Sequence, residues 1–168
     1  MNHTYNFCPI CKHPMQVIDM GYNGCTSNEC SFIQYENPTP VVAAVIEYDQ
    51  DHVLLAHNKS WPPGWFGLIT GFVEKNEHPE ETLFREVKEE TGLESEASQF
   101  IGHYMFKRMN QLIMAYHIQA SGTIILNDEL DDYRIIPFEK AKYWSAGTGY
   151  ALRDFLQGRG FKPELINF

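Results

Sequence analysis

The sequence is poor in positive charge. It carries 13 Lys and Arg against 22 Asp and Glu, a formal net charge of −9 over 168 residues. No basic residues cluster densely, so the chain has no means of neutralising a run of duplex phosphates, and duplex nucleic acid is not an expected partner. Any phosphate on a small ligand would need a metal to supply positive charge. Long apolar runs are absent too. The longest uninterrupted aliphatic stretch, Val41 to Ile46, is far too short to span a bilayer. Met1 to Phe7 is polar and lacks the apolar core of a signal sequence, so the expected location is the cytoplasm. Cysteine is missing after residue 30, and proline is missing between Pro79 and Pro137.

The four cysteines that are present sit close together as C-x2-C-x13-C-x4-C: Cys8, Cys11, Cys25 and Cys30. Two pairs of thiols separated by a short stretch suit a tetrahedral Zn²⁺ site, each pair forming a tight knuckle. The alternative, two disulfides, requires an oxidising compartment that nothing in the sequence points to. A site of four thiolates leaves no open position, so the expected zinc is structural. It would hold together a segment too short to build its own core. The proline-rich turn Asn37–Pro38–Thr39–Pro40 follows. It divides the chain into an expected zinc ribbon, residues 1–36, and a larger domain, residues 37–168.

In that larger domain Val41–Tyr48 reads as a buried strand and Val53–His57 as its hairpin partner across Asp49–Gln50–Asp51. A loop around Trp61–Trp65 leads to an expected strand at Phe66–Val73, interrupted by Gly67 and Gly71. Further strands are expected near Phe100–Lys107 and Gln111–Gln119, and a helix at Thr148–Gln157 with Leu152, Phe155 and Leu156 on one face. The clearest helix is Pro79–Thr91. Proline suits its first position, Glu80 and Glu81 suit the positive end of its dipole, and Gly92 suits its C-terminal cap. Strands mixed with few helices indicate an α+β fold layered as an α/β/α sandwich.

Within this helix Glu86, Glu89 and Glu90 are related by i, i+3 and i+4 and share one arc. Leu83 and Val87 lie beside that arc and face the core, while Glu81 and Lys88 point elsewhere. Spacing alone would also describe a solvated acidic face. The arc, however, borders the apolar stripe, and a glycine-containing strand leads straight into the helix, so backbone approaches the same point. Oxygen donors gathered there select a hard cation, Mg²⁺ or Mn²⁺.

The stretch Gly71–Leu93 carries Gly71, Glu77, Arg85, Glu86, Val87, Glu89, Glu90, Gly92 and Leu93 at set spacings. It resembles the Nudix box, G-x5-E-x7-R-E-U-x-E-E-x-G-U with U aliphatic. The four cysteines, Asn37–Ile46 and Gly71–Phe72–Val73–Glu74 are together similar to the zinc-ribbon Nudix proteins, which include NADH pyrophosphatases and ADP-ribose-type pyrophosphatases. The resemblance implies a mixed sheet between helices and hydrolysis of the diphosphate in a nucleoside diphosphate linked to another moiety, such as NADH. It implies Glu86, Glu89 and Glu90 as metal ligands, with Glu89 or Glu90 also activating water. The Thr70 carbonyl and Glu129 are implied as further ligands, and Arg85–Glu77 as an ion pair bracing the loop. A homodimer is implied by the zinc-ribbon relatives. Two departures bear on substrate. The NADH pyrophosphatase motif S-Q-P-W-P-F-P is replaced by Gly102–Leu112, which keeps aromatics but no proline or tryptophan, and the downstream proline of ADP-ribose pyrophosphatases is absent. Tyr104, Phe106, Trp65 and Tyr150 are candidates to stack on a base, though each reads first as a core or interface residue. His57, His103 and His117 read as packing or surface groups. ADP-ribose, a nucleotide sugar, or a non-catalytic ligand-sensing role are the alternatives.

Overall fold

The computed structural model describes residues 4–18, 21–95 and 97–166. The chain divides into two compact units, Met1–Asn37 and Pro38–Phe168. The first contains a three-stranded antiparallel sheet of β1 (Met15–Val17), β2 (Asn23–Cys25) and β3 (Ile33–Gln34) in that spatial order.

The second unit is built on a six-stranded mixed sheet. Its strands are β4 (Thr39–Tyr48), β5 (His52–Asn58), β6 (Ile69–Phe72), β7 (Ser98–Phe106), β8 (Gln111–Ala120) and β9 (Leu130–Pro137). The spatial order is β7-β8-β4-β5-β9, with β6 also pairing β4. Strand β4 is central because every residue from Val41 to Tyr48 is buried, as expected for a strand covered on both faces. It runs parallel to β8 over its whole length and antiparallel to β5 and β6.

Alternation along β4 sends side chains to two cores. Val42, Ala44 and Ile46 pack with Leu83 and Val87 of α1 (Pro79–Thr91). Val41, Ala43 and Val45 pack with Ala151, Leu152, Phe155 and Leu156 of α2 (Thr148–Gly158). One helix therefore covers each face, the α/β/α sandwich expected from the sequence. Helix α1 has the expected ends. Glu81 accepts a hydrogen bond from the His78 backbone N–H at 2.9 Å, and Gly92 terminates the helix at φ 71°.

Two expectations need correction. The strand at Phe66–Val73 is confined to Ile69–Phe72, because Gly67 bridges Ala56 of β5 while the residues after it pair with β4. Strand β9 has no counterpart among the strands expected from the sequence. It is an edge strand, mostly exposed, in which Asp131 and Asp132 break the apolar alternation, and pairing with β5 defines it. No helix among the described residues is long and apolar enough to cross a membrane.

Candidate active site

The site is assembled where β6 passes beneath α1. Gly71 lies against Glu86 so closely that a Cβ there would sit 2.2 Å from the Glu86 carboxyl carbon. No residue but glycine leaves room for that carboxylate. Thr70 precedes it on the same strand, half-buried.

Between β6 and α1 the loop is organised by the Glu77 carboxylate. It accepts from Arg85 Nε at 2.8 Å and Nη2 at 3.0 Å, from Thr82 Oγ1 at 2.7 Å and from the Glu74 backbone N–H at 3.2 Å. Led by the Arg85 hydrogen bonds, these donors hold Glu77 down to about 2. Arg85 has no donor left over: Nη1 reaches Glu86 at 2.8 Å and Glu89 at 3.3 Å, and Nη2 reaches the Phe72 carbonyl at 3.4 Å. The ion pair is half-buried, as its planar fork-to-fork geometry favours.

The three glutamates of the arc differ in surroundings. Glu89 is exposed and Glu86 half-buried. Burial raises Glu86 above the ordinary carboxylate range despite Arg85. Glu90 is also half-buried, and no described residue donates a hydrogen bond to its carboxyl. Burial first, then the charges of Glu86, Glu129 and Glu89, push it up to about 8. Glu129 is brought to this cluster from the turn before β9. That turn is tied to the C-terminal end of α1, where Asn127 N–H donates to the Glu90 carbonyl at 3.2 Å and Ile125 N–H to that of Thr91 at 2.8 Å. The arrangement is an excess of carboxylate with its one arginine already engaged. Its hard oxygen donors suit a divalent ion, and their separation suits one that keeps several water ligands, as Mg²⁺ does.

A cleft of about 210 Å³ opens on the α2 side of the same strand. Phe106, one of the candidate stacking residues, lines it together with Trp61, Trp144 and Gln111. Tyr104 and Tyr150 do not. The Tyr104 hydroxyl donates to Asp154 at 2.9 Å, and Tyr150 lies under the Arg153 guanidinium at 5.0 Å. Trp65 is exposed and also outside the cleft lining. The histidines are engaged structurally: His57 with Asp131 at 2.5 Å, His117 with Glu47 at 2.7 Å, and His103 against the Phe100 ring at 4.8 Å.

In the first unit the four cysteines are free thiols whose sulfurs all lie within 4.8 Å of one another. Cys8 and Cys30 are 3.8 Å apart and Cys11 and Cys25 are 3.4 Å apart. A tetrahedron with Zn–S bonds of about 2.3 Å has edges of roughly 3.8 Å, whereas a disulfide would bring the sulfurs to about 2.05 Å. Burial raises the Cys8 thiol, but hydrogen bonds from the Cys11 and Ile10 backbone outweigh it and bring it down to about 7. The cluster is compatible with zinc. Among the described residues it is also the one group of three or more ligand atoms gathered so tightly; the carboxylates of α1 stand further apart.

Comparison with known proteins adds independent findings. The NUDIX domain family matches residues 37–155. The chain is similar to NAD-capped RNA hydrolase NUDT12 from Homo sapiens, 31% identical over 140 residues, which cover 77% of this chain and 30% of that protein. It is similar to NAD-capped RNA hydrolase NudC from Pseudomonas aeruginosa, 31% identical over 128 residues, 75% of this chain and 45% of that one. The chain thus spans less than half the length of these curated relatives. Among solved structures, a NUDIX hydrolase from Nitrosomonas europaea shares the fold with a TM-score of 0.75 at 21% identity, over 98% of this chain and 100% of that one.

Proposed function

The chain belongs to the NUDIX family, and from that premise we propose that it hydrolyses the diphosphate linkage of a dinucleotide such as NADH, using Mg²⁺ or Mn²⁺ held by Glu86, Glu89 and Glu90. The observation that carries this reading is Glu90, a half-buried carboxyl with no hydrogen-bond donor among the described residues, crowded by three other carboxylates. A protein group left so unsatisfied costs free energy unless a cation arrives. Glu129 and the Thr70 carbonyl would complete the donor set. When bound, the cation neutralises phosphate oxygens and lowers the pKa of coordinated water.

The chain's own residues do the rest. Glu77 and Arg85 brace the loop and fix the start of α1 against Phe72. Arg85 orients the Glu86 and Glu89 carboxylates through Nη1. Glu89 or Glu90 accepts a hydrogen bond from the attacking water and takes its proton. The names of the relatives, NAD-capped RNA hydrolases, support a dinucleotide-type diphosphate as substrate. The cysteine cluster holds a structural zinc, and the protein acts as a cytoplasmic homodimer in this reading.

Product analysis with NADH, NAD⁺, ADP-ribose and diadenosine polyphosphates, each with Mg²⁺ or Mn²⁺, tests it. Two monophosphates from a dinucleotide are expected. A kcat/KM about tenfold higher for a nucleotide sugar or triphosphate, a gap of about 1.4 kcal/mol, would replace the substrate. Binding without turnover of any of them would favour a sensing module.

A further inference from the structure

Strand β9 changes register next to the carboxylate cluster. From His52 opposite Pro137 to His57 opposite Asp132 it pairs with β5 residue for residue, but Asn58 pairs with Leu130, which leaves Asp131 over as a β-bulge. The extra residue reverses the face that the strand presents. Ile136 packs against the core beneath α2, whereas Leu130, six residues away, is buried in the core beneath α1. An uninterrupted strand would send both to one face, because its side chains alternate with a period of two. The bulge therefore brings the start of β9, and Glu129 before it, to the α1 face where Glu86 and Glu90 feel its charge.

A buried side chain pins the bulged residue. His57 lies near the end of β5 and is buried there. Its Nδ1 meets the Asp131 carboxylate at 2.5 Å, and its Nε2 meets the Pro62 carbonyl at 3.2 Å. With both ring nitrogens engaged, the ring cannot turn without losing a partner. Backbone bonds extend the hold to the residues before the bulge. Lys59 N–H donates to the Glu129 carbonyl at 2.9 Å, and Lys59 Nζ to that of Asp128 at 2.6 Å. The Asn127 side chain accepts from Glu129 N–H at 3.0 Å and from Leu130 N–H at 3.3 Å. Glu129 is thus fixed through its backbone, while the residue itself is exposed.

We propose that His57 is a positioning residue for the cation site: by holding Asp131 in the bulge, it sets the Glu129 carboxylate beside those of Glu86 and Glu90. This rests on the reading above in which these carboxylates hold Mg²⁺ or Mn²⁺. His57 acts through Asp131 and the backbone of the turn, and not by touching the ion. Groups that orient a ligand without meeting the metal commonly contribute about 10–100-fold to its affinity. The reason here is entropic. A carboxylate on an exposed turn must be ordered when the ion binds, and a turn already held by His57 leaves less of that cost to the binding step.

The Mn²⁺ affinity of the full chain, read from the electron paramagnetic resonance of the free ion, tests the assignment without turnover. Glu129→Gln and His57→Leu are each expected to weaken binding about tenfold. The double variant is expected to bind within about twofold of Glu129→Gln, because His57 has nothing left to position once that ligand is gone. A merely structural His57 would lower affinity by the same factor in both backgrounds, so losses that multiply overturn the proposal. Unchanged affinity in folded His57→Leu overturns it too. His57→Asn sets an amide nitrogen near the place of Nδ1 and can still donate to Asp131. It is expected to stay within about threefold of wild type, and a loss equal to that of His57→Leu overturns the proposal. Should His57→Leu fail to fold, Asp131→Ala, at an exposed side chain, takes its place in the same cycle, with the same expectation and the same ways to fail. Wild type that binds no Mn²⁺ defeats the metal reading itself and the proposal with it. Wild-type binding that Glu129→Gln leaves unchanged overturns the proposal alone.

Discussion

Glu47 and Glu90 lie against opposite faces of one sheet, and their surroundings are opposite in kind. Glu47, on the α2 face, is 4% exposed. It accepts from His117 Nε2 at 2.7 Å, from Arg159 Nη2 at 2.7 Å and from the Asp51 backbone N–H at 3.2 Å. Burial works to raise it, yet the Asp51, His117 and Arg159 partners outweigh that and hold it below the ordinary carboxylate range. Burial lowers the proton affinity of His117 against the pull of Glu47 beside it. Glu90, on the α1 face, has no donor among the described residues and is pushed up to about 8. A buried charge with its partners supplied ties elements together; a half-buried one with none is a place for something the chain does not provide. The two glutamates thus separate stability from chemistry, and substitutions should show them apart.

The largest effect is expected at Glu90. Replacing it with Gln should cut kcat by roughly 10²–10³-fold, the loss typical of one electrostatic group in a transition state. Relative to wild type, the melting temperature of the metal-free protein should hold at pH 7, where Glu90 is protonated, and rise toward pH 9, where its charge would crowd the other carboxylates. Glu47→Gln should do the reverse, leaving kcat within a few-fold and lowering unfolding free energy by roughly 1–3 kcal/mol as His117 and Arg159 lose a charged acceptor. Kinetics and denaturant melts on both variants decide it; a Glu47 variant that is stable but inactive would break the comparison.

Arg85→Lys should have a smaller and mixed effect. An ammonium cannot serve Glu77, Glu86, Glu89 and the Phe72 carbonyl together. Both kcat and melting temperature are expected to fall, kcat by about tenfold. A fall in one alone would mean that bracing and orientation are separate.

The smallest effect on turnover is expected at the cysteines. Elemental analysis should find one zinc per chain. Cys8→Ser should release it and make the Met1–Asn37 unit protease-sensitive, while kcat changes by no more than a few-fold. Disulfides in place of zinc would overturn the assignment.

Most of the α1 side was legible in the sequence. Proline at the first position of α1, Gly92 at its end and the i, i+3, i+4 glutamates are local signals, and the helix and its arc appear where they place it. Gly71 was legible as a close approach, though not that Glu86 fills the space. The α2 side was not. Its cleft joins Trp61 of the β5–β6 loop, Phe106 and Gln111 of the β7–β8 hairpin and Trp144 on the approach to α2, and only tertiary packing brings those three segments together. Tyr104 and Tyr150 have the same aromatic character as Phe106, and only the partners Asp154 and Arg153 reveal that they serve packing. Strand β9 was hidden because an exposed edge strand has no apolar face to impose alternation.

The central claim, that Glu90 awaits a cation, has a direct thermodynamic test. A carboxyl raised to about 8 keeps its proton at pH 7 in the metal-free protein, and that protein should lose stability as pH climbs from the ordinary carboxylate range toward 8. Binding a divalent ion must expel the proton. Mg²⁺ titration by calorimetry at pH 7, in buffers of different ionisation enthalpy, measures the number released. About one proton per bound ion is expected for wild type, falling toward none by pH 9 and absent at both pH values in Glu90→Gln. Mg²⁺ binding with no proton release at pH 7, or with the same release in Glu90→Gln, would contradict the account.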